Sequence, residues 1–427
     1  MFPGSVIRKL ARSEEVFAHN ETFFALGVDL IGPVDIGAMS DAFDALLQSH
    51  PIFAGRLERA ADGRHQIVAD DLLHPGIWLV GGATTPASGA SAGSTASAAM
   101  QLDQNQSLLN LRLKLDSDRS ELTLYVHHAL ADAHHVFSLL EELFTRYTDA
   151  VVNGDVGPVT PSPAPESLEQ VLEKRGMGKK ARSGLERFMP LIFAYDLPTS
   201  VPPPLPANPD VPQEIPTARI RLTEQETADL VEFGLANQLS LNSLVAAAIL
   251  LTEWERRNTP HIPIPYLYPV DLRYLVSPPV SDTGSTNPMG VATFVAEITP
   301  ETDILELARN IVASFRADLS DGVIQQSVLH FSLQYQGSPP GLPPMVLCTY
   351  AGPIPAVQTP PGLEIDDFRS EMHCPARTPV DMYSCGTFAD RLFIEHHAHA
   401  PAARESSLEA IRQLLCSIAA EDSWAME

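Results

Sequence analysis

The feature that most constrains this chain is a change of periodicity around residue 127. From Glu121 to Val126 the residues alternate, with Leu122, Leu124 and Val126 on one side and Thr123 and Tyr125 on the other. That period of two marks a strand. After residue 135, Val136, Leu139, Leu140, Leu143, Phe144 and Tyr147 recur at helical spacing. Between them lies Tyr125-Val126-His127-His128-Ala129-Leu130-Ala131-Asp132-Ala133-His134-His135. It reads as the end of a strand, a short turn and the start of a helix. Two adjacent histidines therefore stand where a strand ends, and an aspartate follows the second of them by four residues.

A histidine with a near-neutral pKa takes a proton from a hydroxyl or amine at physiological pH. A strand end facing a crevice holds such a group in place. Neighbouring side chains on a strand point to opposite faces, so only one of His127 and His128 faces a given cavity. The other is packed or hydrogen-bonded on the far side. Asp132, near the turn, is placed to hold the loop by pairing with an arginine elsewhere. Four histidines and an aspartate within nine residues also match the donor types of a metal site. The spacing, however, is not that of the helical His-Glu-x-x-His motif, and no cysteine lies nearby.

A chain of 427 residues predicts two or three domains, and a hydrophobic share of 44% suffices for large cores. No run approaches the ~18 apolar residues of a membrane span. Met1 to Leu10 lacks an apolar core followed by a small-residue cleavage site, so the expectation is a soluble, cytoplasmic protein. The net charge of -25 argues against nucleic acid, whose phosphates need a basic face. It also requires a local basic patch for any acidic carrier partner. Cys348, Cys374, Cys385 and Cys416 show no Cys-x-x-Cys spacing, so buried thiols are expected rather than a disulfide framework or zinc site.

Along the chain, residues 22–34 read as a first strand and turn. Asp35 caps a helix running to about Ser49, with Met39, Phe43, Leu46 and Leu47 inside. Residues 81–99 are rich in Gly, Ser, Ala and Thr and read as a surface loop. Leu109 to Leu115 alternate with Asn110, Arg112 and Lys114, a strand with one polar face that pairs with the motif strand. After a Pro/Gly loop at 151–165, Glu166 to Glu173 reads as helix. A basic run follows: Lys174, Arg175, Lys179, Lys180, Arg182 and Arg187. Pro198 to Pro216 holds eight prolines in nineteen residues and reads as an extended linker between domains.

Beyond it come a strand at Ala218–Leu222 and a helix opened by the capping box of Thr223 and Glu226. A buried helix then spans Ser243–Arg257. Strands follow at Tyr266–Val270 and Gly290–Ile298, and a helix at Asp303–Asp318 carries Arg309 and Arg316 on one face. A hairpin turns about Ala389-Asp390, and a last helix starts at Ser406.

The pattern His-His-x-x-x-Asp at 127–132 resembles the condensation-domain acyltransferase superfamily. That superfamily includes chloramphenicol acetyltransferase, plant alcohol acyltransferases and peptide-synthetase condensation domains. Met1–Leu10, Ser40–Leu47, Val245–Trp254, Asn258–Arg273, Val323–Ser327 and Thr359–Ile365 extend the resemblance over essentially the whole chain. They are similar to the phthiocerol/phthiodiolone dimycocerosyl transferase family of polyketide-associated acyltransferases.

The resemblance implies an α/β fold with mixed sheets: two chloramphenicol acetyltransferase-like domains, 1–197 and 217–427, joined by the linker 198–216, with an active-site channel between them. It implies an O-acyltransferase with His128 as general base. The hydroxyls of a long-chain diol, phthiocerol or phthiodiolone, would attack a mycocerosic thioester carried on its synthase. No acyl-enzyme and no metal or redox cofactor are implied. His127, Asp132, Arg273 and Asp271 become structural at the site, with Arg273 pairing with Asp132. The implied partner is the acyl-carrier domain of the mycocerosic acid synthase. Lys179, Lys180 and Arg182 offer it one basic patch, and Arg309 and Arg316 a second. A monomer is expected.

One residue departs from the motif: Ala133 stands where the family has glycine, which is harmless if the residue begins the helix and strained if its φ is positive. The Asp-Phe-Gly-Trp-Gly motif of the plant branch is absent, which points to the bacterial lipid branch. A second pair, His396-His397, has Pro401 rather than an aspartate four residues on and reads as non-catalytic. Two other readings stay open on the residues: an amide-forming condensation domain, and a catalytically silent scaffold that binds polyketide synthases.

Overall fold

The computed structural model describes residues 4–69, 74, 76–81, 101–116, 118–197, 208–330, 339–399 and 404–425, with side chains as far as 420. All but the first residue of the expected loop at 81–99, and the proline-rich stretch 198–207, lie outside the described residues.

The first half runs β1 (Val6–Lys9), α1 (Arg12–His19), β2 (Phe23–Ile31), α2 (Ile36–Ser49), β3 (Gly55–Arg59), β4 (His65–Ala69), β5 (Ile77–Gly81), β6 (Leu109–Leu115), β7 (Arg119–His127), α3 (Ala133–Asn153) and α4 (Leu168–Lys174). The second half runs β8 (Pro212–Glu214), β9 (Thr217–Arg221), α5 (Glu224–Ala236), α6 (Leu241–Arg257), β10 (Ile264–Asp271), β11 (Met289–Ala296), α7 (Ile304–Ser320), α8 (Val323–Gln326), β12 (Val346–Pro353), β13 (Glu364–Pro375), β14 (Asp381–Phe388), β15 (Arg391–Ala398) and α9 (Arg404–Ala425). Helix starts follow local capping chemistry. Asp35 Oδ1 accepts from the Ala38 N–H at 3.0 Å, and the Thr223–Glu226 box opens α5.

Two six-stranded sheets form the framework, in the orders β5-β6-β7-β2-β13-β8 and β11-β10-β12-β14-β15-β9. β7 lies between β6 and β2, antiparallel to both, with Phe23 opposite His127 and Leu109 opposite Val126. The alternation in β7 sorts its side chains as the pattern requires. Leu122, Leu124 and Val126 join the core made with α2 and α3. Thr123 and Tyr125, on the other face, are equally buried, because that face is covered as well: the Arg112 guanidinium lies 5.5 Å over the Tyr125 ring, and the His373 ring meets its edge at 5.2 Å. The polar face expected of β6 is therefore covered at Asn110, partly at Arg112, and open to solvent only at Lys114.

Strand pairing and packing cross the expected division into residues 1–197 and 217–427. β13 comes from the second half yet sits in the first sheet, between β2 and β8. β8, inside the expected linker, pairs with it. In the other direction, Leu168, Val171, Leu172, Phe188 and Leu191 pack with Leu267, Leu272, Val291 and Ile324 of the second half. The 198–216 stretch marks where the chain passes between halves; packing crosses it both ways. An extended strand and a short amphipathic helix each bury apolar area wherever a matching face is open, regardless of chain order.

Candidate active site

The motif is held by its backbone before any side chain acts. The His127 N–H donates to the Leu108 carbonyl at 2.8 Å and the His128 N–H to the Thr22 carbonyl at 2.9 Å, tying the strand end to both sides. The Leu130 N–H returns to the His127 carbonyl at 2.9 Å, closing a tight turn. Asp132 then caps α3, its Oδ1 accepting from the His135 N–H at 3.0 Å.

The two histidines take opposite roles. His127 is fully buried; its Nε2 bonds Gln104 Oε1 at 2.9 Å and its Nδ1 accepts from the Ala129 N–H at 3.3 Å. Both ring nitrogens are used. Burial, with like charge at His128 and His65, pushes its pKa down to about 3, so it is a neutral structural group. His128 is partly accessible. Its Nδ1 lies 2.9 Å from the Ala131 carbonyl oxygen. A carbonyl only accepts, so Nδ1 carries the proton and the neutral ring keeps its basic lone pair on Nε2. Nε2 makes no hydrogen bond among the described residues. Burial lowers the His128 pKa, only partly countered by the Ala131 carbonyl and Asp132.

Asp132 does not touch the His128 ring. Its carboxylate receives two bonds from Arg273: Nη1 to Oδ2 at 2.7 Å and Nη2 to Oδ1 at 2.8 Å. Arg273 is fully buried and also donates to Asp271 Oδ1 at 3.1 Å and to the Asp282 carbonyl from Nε and Nη2. Burial alone would raise the Asp132 pKa, but Arg273 and the His135 N–H hold it below the ordinary carboxylate value. The second carboxylate oxygen of Asp271 faces His134 at 3.4 Å. The sequence-derived residues His127, His128, Asp132, Asp271 and Arg273 thus converge on one place.

Ala133 is the first residue of α3 and is not among the residues of positive φ. A glycine is not required there, so its β-carbon brings no backbone strain.

Four further contributors carried no legible signal. Phe17, on α1, lies tilted against the His128 ring with centroids 4.3 Å apart, and Phe24 lies at 5.9 Å. Helix α1 is anchored by Glu14, which takes two bonds from Arg8 and one from Thr286 Oγ1 at 2.7 Å. The segment 282–288, from the second half, clamps the motif. The Thr286 carbonyl accepts from the Asp132 N–H at 3.0 Å, the Ser285 carbonyl from His135 Nδ1 at 3.1 Å, and Asn287 Nδ2 donates to the His128 carbonyl. Only the Ser-Asp-Thr-Gly-Ser-Thr-Asn-Pro composition of 281–288 marked this segment, and that says no more than loop.

Elsewhere, His397 is bonded on both ring nitrogens, to Thr217 Oγ1 at 2.8 Å and Ser384 Oγ at 2.9 Å, so it has no free base. In the basic run, Arg187 turns inward and pairs with Asp318 through both terminal nitrogens, and Lys180 bonds the Asp321 carbonyl. Arg182 reaches Glu186 at 3.1 Å and Asp321 at 3.5 Å. Arg309 and Arg316 share the lining of a surface hollow with Asn237, Gln238, Val312 and Ala313. Among the described residues no group of three or more His, Cys, Asp or Glu side chains is arranged to hold a metal ion. No single described helix is long and apolar enough to cross a membrane.

A family profile described as phthiocerol/phthiodiolone dimycocerosyl transferase C-terminus matches residues 211–397. The chain is 53% identical over 427 residues, all of both chains, to a protein of Mycobacterium tuberculosis H37Rv named phthiocerol/phthiodiolone dimycocerosyl transferase. It superposes on the structure of polyketide synthase associated protein 5 from Mycobacterium tuberculosis with a TM-score of 0.89 at 52% identity, covering 98% of this chain and 100% of that one. The first condensation domain of the CDA synthetase shares the fold, with a TM-score of 0.65 at 13% identity over 97% of this chain and 96% of that one.

Proposed function

The chain belongs to the phthiocerol/phthiodiolone dimycocerosyl transferase family of acyltransferases, and from that premise we propose that it esterifies the hydroxyls of a long-chain diol of the phthiocerol or phthiodiolone type with mycocerosic acyl groups from a synthase-bound thioester. The observation that carries the mechanism is the 2.9 Å contact of His128 Nδ1 with the Ala131 carbonyl oxygen, from which the tautomer follows. With Nδ1–H engaged by the Ala131 carbonyl, Nε2 is the free base. The acceptor hydroxyl gives its proton to Nε2 as its oxygen bonds the thioester carbonyl carbon. The tetrahedral intermediate then collapses, the carbon–sulfur bond breaks, and the imidazolium returns the proton to the departing thiolate. General-base help of this kind contributes ~10²–10⁴-fold, and holding both substrates in register contributes more. A burial-lowered pKa keeps the imidazole neutral at pH 7, which this role requires. No serine or cysteine nucleophile enters the scheme, so no acyl-enzyme forms.

Asp132 and Arg273 act one step back. Their pair, with Asp271 behind it, fixes the turn whose Ala131 carbonyl orients the base; neither touches a reacting atom. The thioester arrives on an acyl-carrier domain of the mycocerosic acid synthase, an acidic partner for a chain whose own net charge is -25. Contact is therefore confined to local cationic ground: Lys179, Lys180 and Arg182, or Arg309 and Arg316 around their shared hollow.

The test is ester formation and thiol release from a long-chain acyl-CoA and a fatty alcohol, comparing the native chain with His128→Ala at matched thermal stability. A loss of ~10²-fold or more is expected. Ester formation undiminished in the variant, or none by the folded native chain with any thioester, overturns the reading.

A further inference from the structure

Residues 173–193 reverse the charge of the chain around them. They hold six cations, Lys174, Arg175, Lys179, Lys180, Arg182 and Arg187, against two carboxylates, Glu173 and Glu186, in a chain whose net charge is -25. Two of the six are spent, since Arg187 turns inward to Asp318 and Lys174 pairs with Glu166. Arg182 faces Glu186, Asp318 and Asp321. The other three are not cancelled by a carboxylate. Arg175 and Lys180 donate to carbonyl oxygens, of Val171, Pro278 and Pro279 and of Asp321. Lys179 is exposed and makes no hydrogen bond or ion pair among the described residues.

The same segment puts two large apolar side chains into water. Met189 is 65% exposed, and Phe193, at 78%, is the most exposed large apolar side chain among the described residues. Phe193 also sits at φ +60°, in the left-handed region that a bulky residue enters only at a cost. Its N–H donates to the Gly341 carbonyl at 2.9 Å. Its ring lies so close to Gly341 that a β-carbon there would stand 2.4 Å from Cδ1. Backbone and ring are thus fixed, and they present an aromatic surface outward. Folding gains nothing from that exposure, whereas a surface that takes the ring out of water does. An anionic lipid layer uses both features: its phosphates attract the cations, and its interfacial zone receives the apolar side chains. We propose that residues 174–193 form a docking face for an anionic lipid bilayer, with Phe193 and Met189 entering the interface and Arg175, Lys179 and Lys180 over the headgroups. Neither part is strong alone, so binding is peripheral and reversible. It does not depend on acyl transfer, and an acyl-carrier domain then docks at Arg309 and Arg316.

The experiment is flotation of the full chain with vesicles of phosphatidylcholine alone and of equimolar phosphatidylcholine and phosphatidylglycerol, at low and at raised salt. The native chain is expected to float with the anionic vesicles, to stay behind with the neutral ones, and to be released as salt screens the cations. Met189→Ser with Phe193→Ser removes the apolar part and leaves every charge in place. It is expected to lower the partition coefficient at least about tenfold, the scale of leaving one such side chain in water. Lys179→Glu with Lys180→Glu is expected to abolish flotation at low salt. Arg309→Glu with Arg316→Glu, on the other basic ground, is expected to float as the native chain does. All six side chains are exposed, and matching thermal unfolding curves make the comparison one of folded proteins. A native chain that does not float with anionic vesicles overturns the proposal. Flotation unchanged by either double variant within residues 179–193, or lost with Arg309→Glu and Arg316→Glu instead, also overturns it. So does a Lys179→Glu, Lys180→Glu variant that floats normally but loses turnover with a carrier-bound donor and not with an acyl-CoA, which assigns the run to a carrier domain.

Discussion

Replacing Arg273 by methionine tests the Asp132–Arg273 pair most directly. The guanidinium is fully buried and makes two bonds to Asp132, one to Asp271 and two to the Asp282 carbonyl. Methionine fills much of the volume without charge. Asp132, only 16% exposed, is then a carboxylate without a counter-ion. Breaking a buried pair from one side costs ~3–5 kcal/mol, because the remaining charge is stranded. Asp132→Asn leaves Arg273 its other acceptors, and asparagine remains a competent N-cap. Losing a charge-assisted bidentate bond there costs ~1.5–3 kcal/mol. The double variant strands neither charge, so it should be more stable than the sum of the two losses by at least about 2 kcal/mol.

Urea denaturation of the four proteins in a double-mutant cycle measures this coupling. The pH dependence gives a second check. In the native chain the Asp132 pKa is lowered, so its contribution is present above the unfolded value of 3.8 and is lost as pH falls through the lower folded value. In Arg273→Met burial is opposed only by the contacts with His135, and the folded pKa rises. That penalty is largest at neutral pH and relaxes as Asp132 takes up a proton. The stability gap between the native chain and Arg273→Met should therefore narrow from pH 7.5 to pH 5. Losses that add within about 0.5 kcal/mol, or a gap independent of pH, would refute the assignment.

Other outcomes follow from the same geometry. Because burial lowers the His128 pKa below its ordinary 6.5, kcat/KM should stay level from pH 8 to 6.5 and fall only at more acid pH. Phe17→Ala opens one face of the imidazole to water and should move that fall toward pH 6.5; an unmoved profile would show that Phe17 does not desolvate the base. Gln104→Leu leaves the buried His127 Nε2–H without an acceptor and should cost about 1–3 kcal/mol in denaturation. Ala133→Gly, which restores the motif glycine, should leave ester formation unchanged and lower stability by no more than about 1 kcal/mol. Finally, His127 and His135 are held neutral, with pKa values near 3 and 4. Depressed values mean stability present above 6.5 and lost as pH falls, so the urea midpoint should drop between pH 7 and 5.

The motif turn was legible because its information is local. Period two in Glu121–Val126 and helical spacing after Val136 are properties of neighbouring residues. The motif strand and its helix accordingly stand within a few residues of where the pattern puts them. The linker was legible as composition but not as packing. β8 lies within it and pairs with β13, which the pattern of 364–375 did not reveal, since a charged, covered strand lacks clean alternation. Helix α1 was missed for a related reason. It is short and buries Glu14 and Glu15, so the carboxylates that hold it in place also hide its apolar face.

The sequence by itself determined which histidine pair sits at a strand-to-helix turn, that only one of the two can face a given cavity, and that an aspartate follows four residues on. The first two follow from the fixed geometry of strands and helix ends. Tertiary structure alone decided which histidine keeps a ring nitrogen free of hydrogen bonds among the described residues. That choice depends on a carbonyl three residues along, on Gln104 occupying His127, and on Phe17 and Asn287 arriving from opposite ends of the chain. Hydrogen-bond direction and burial set a tautomer and a pKa, and both are sums over neighbours in space that no local pattern contains.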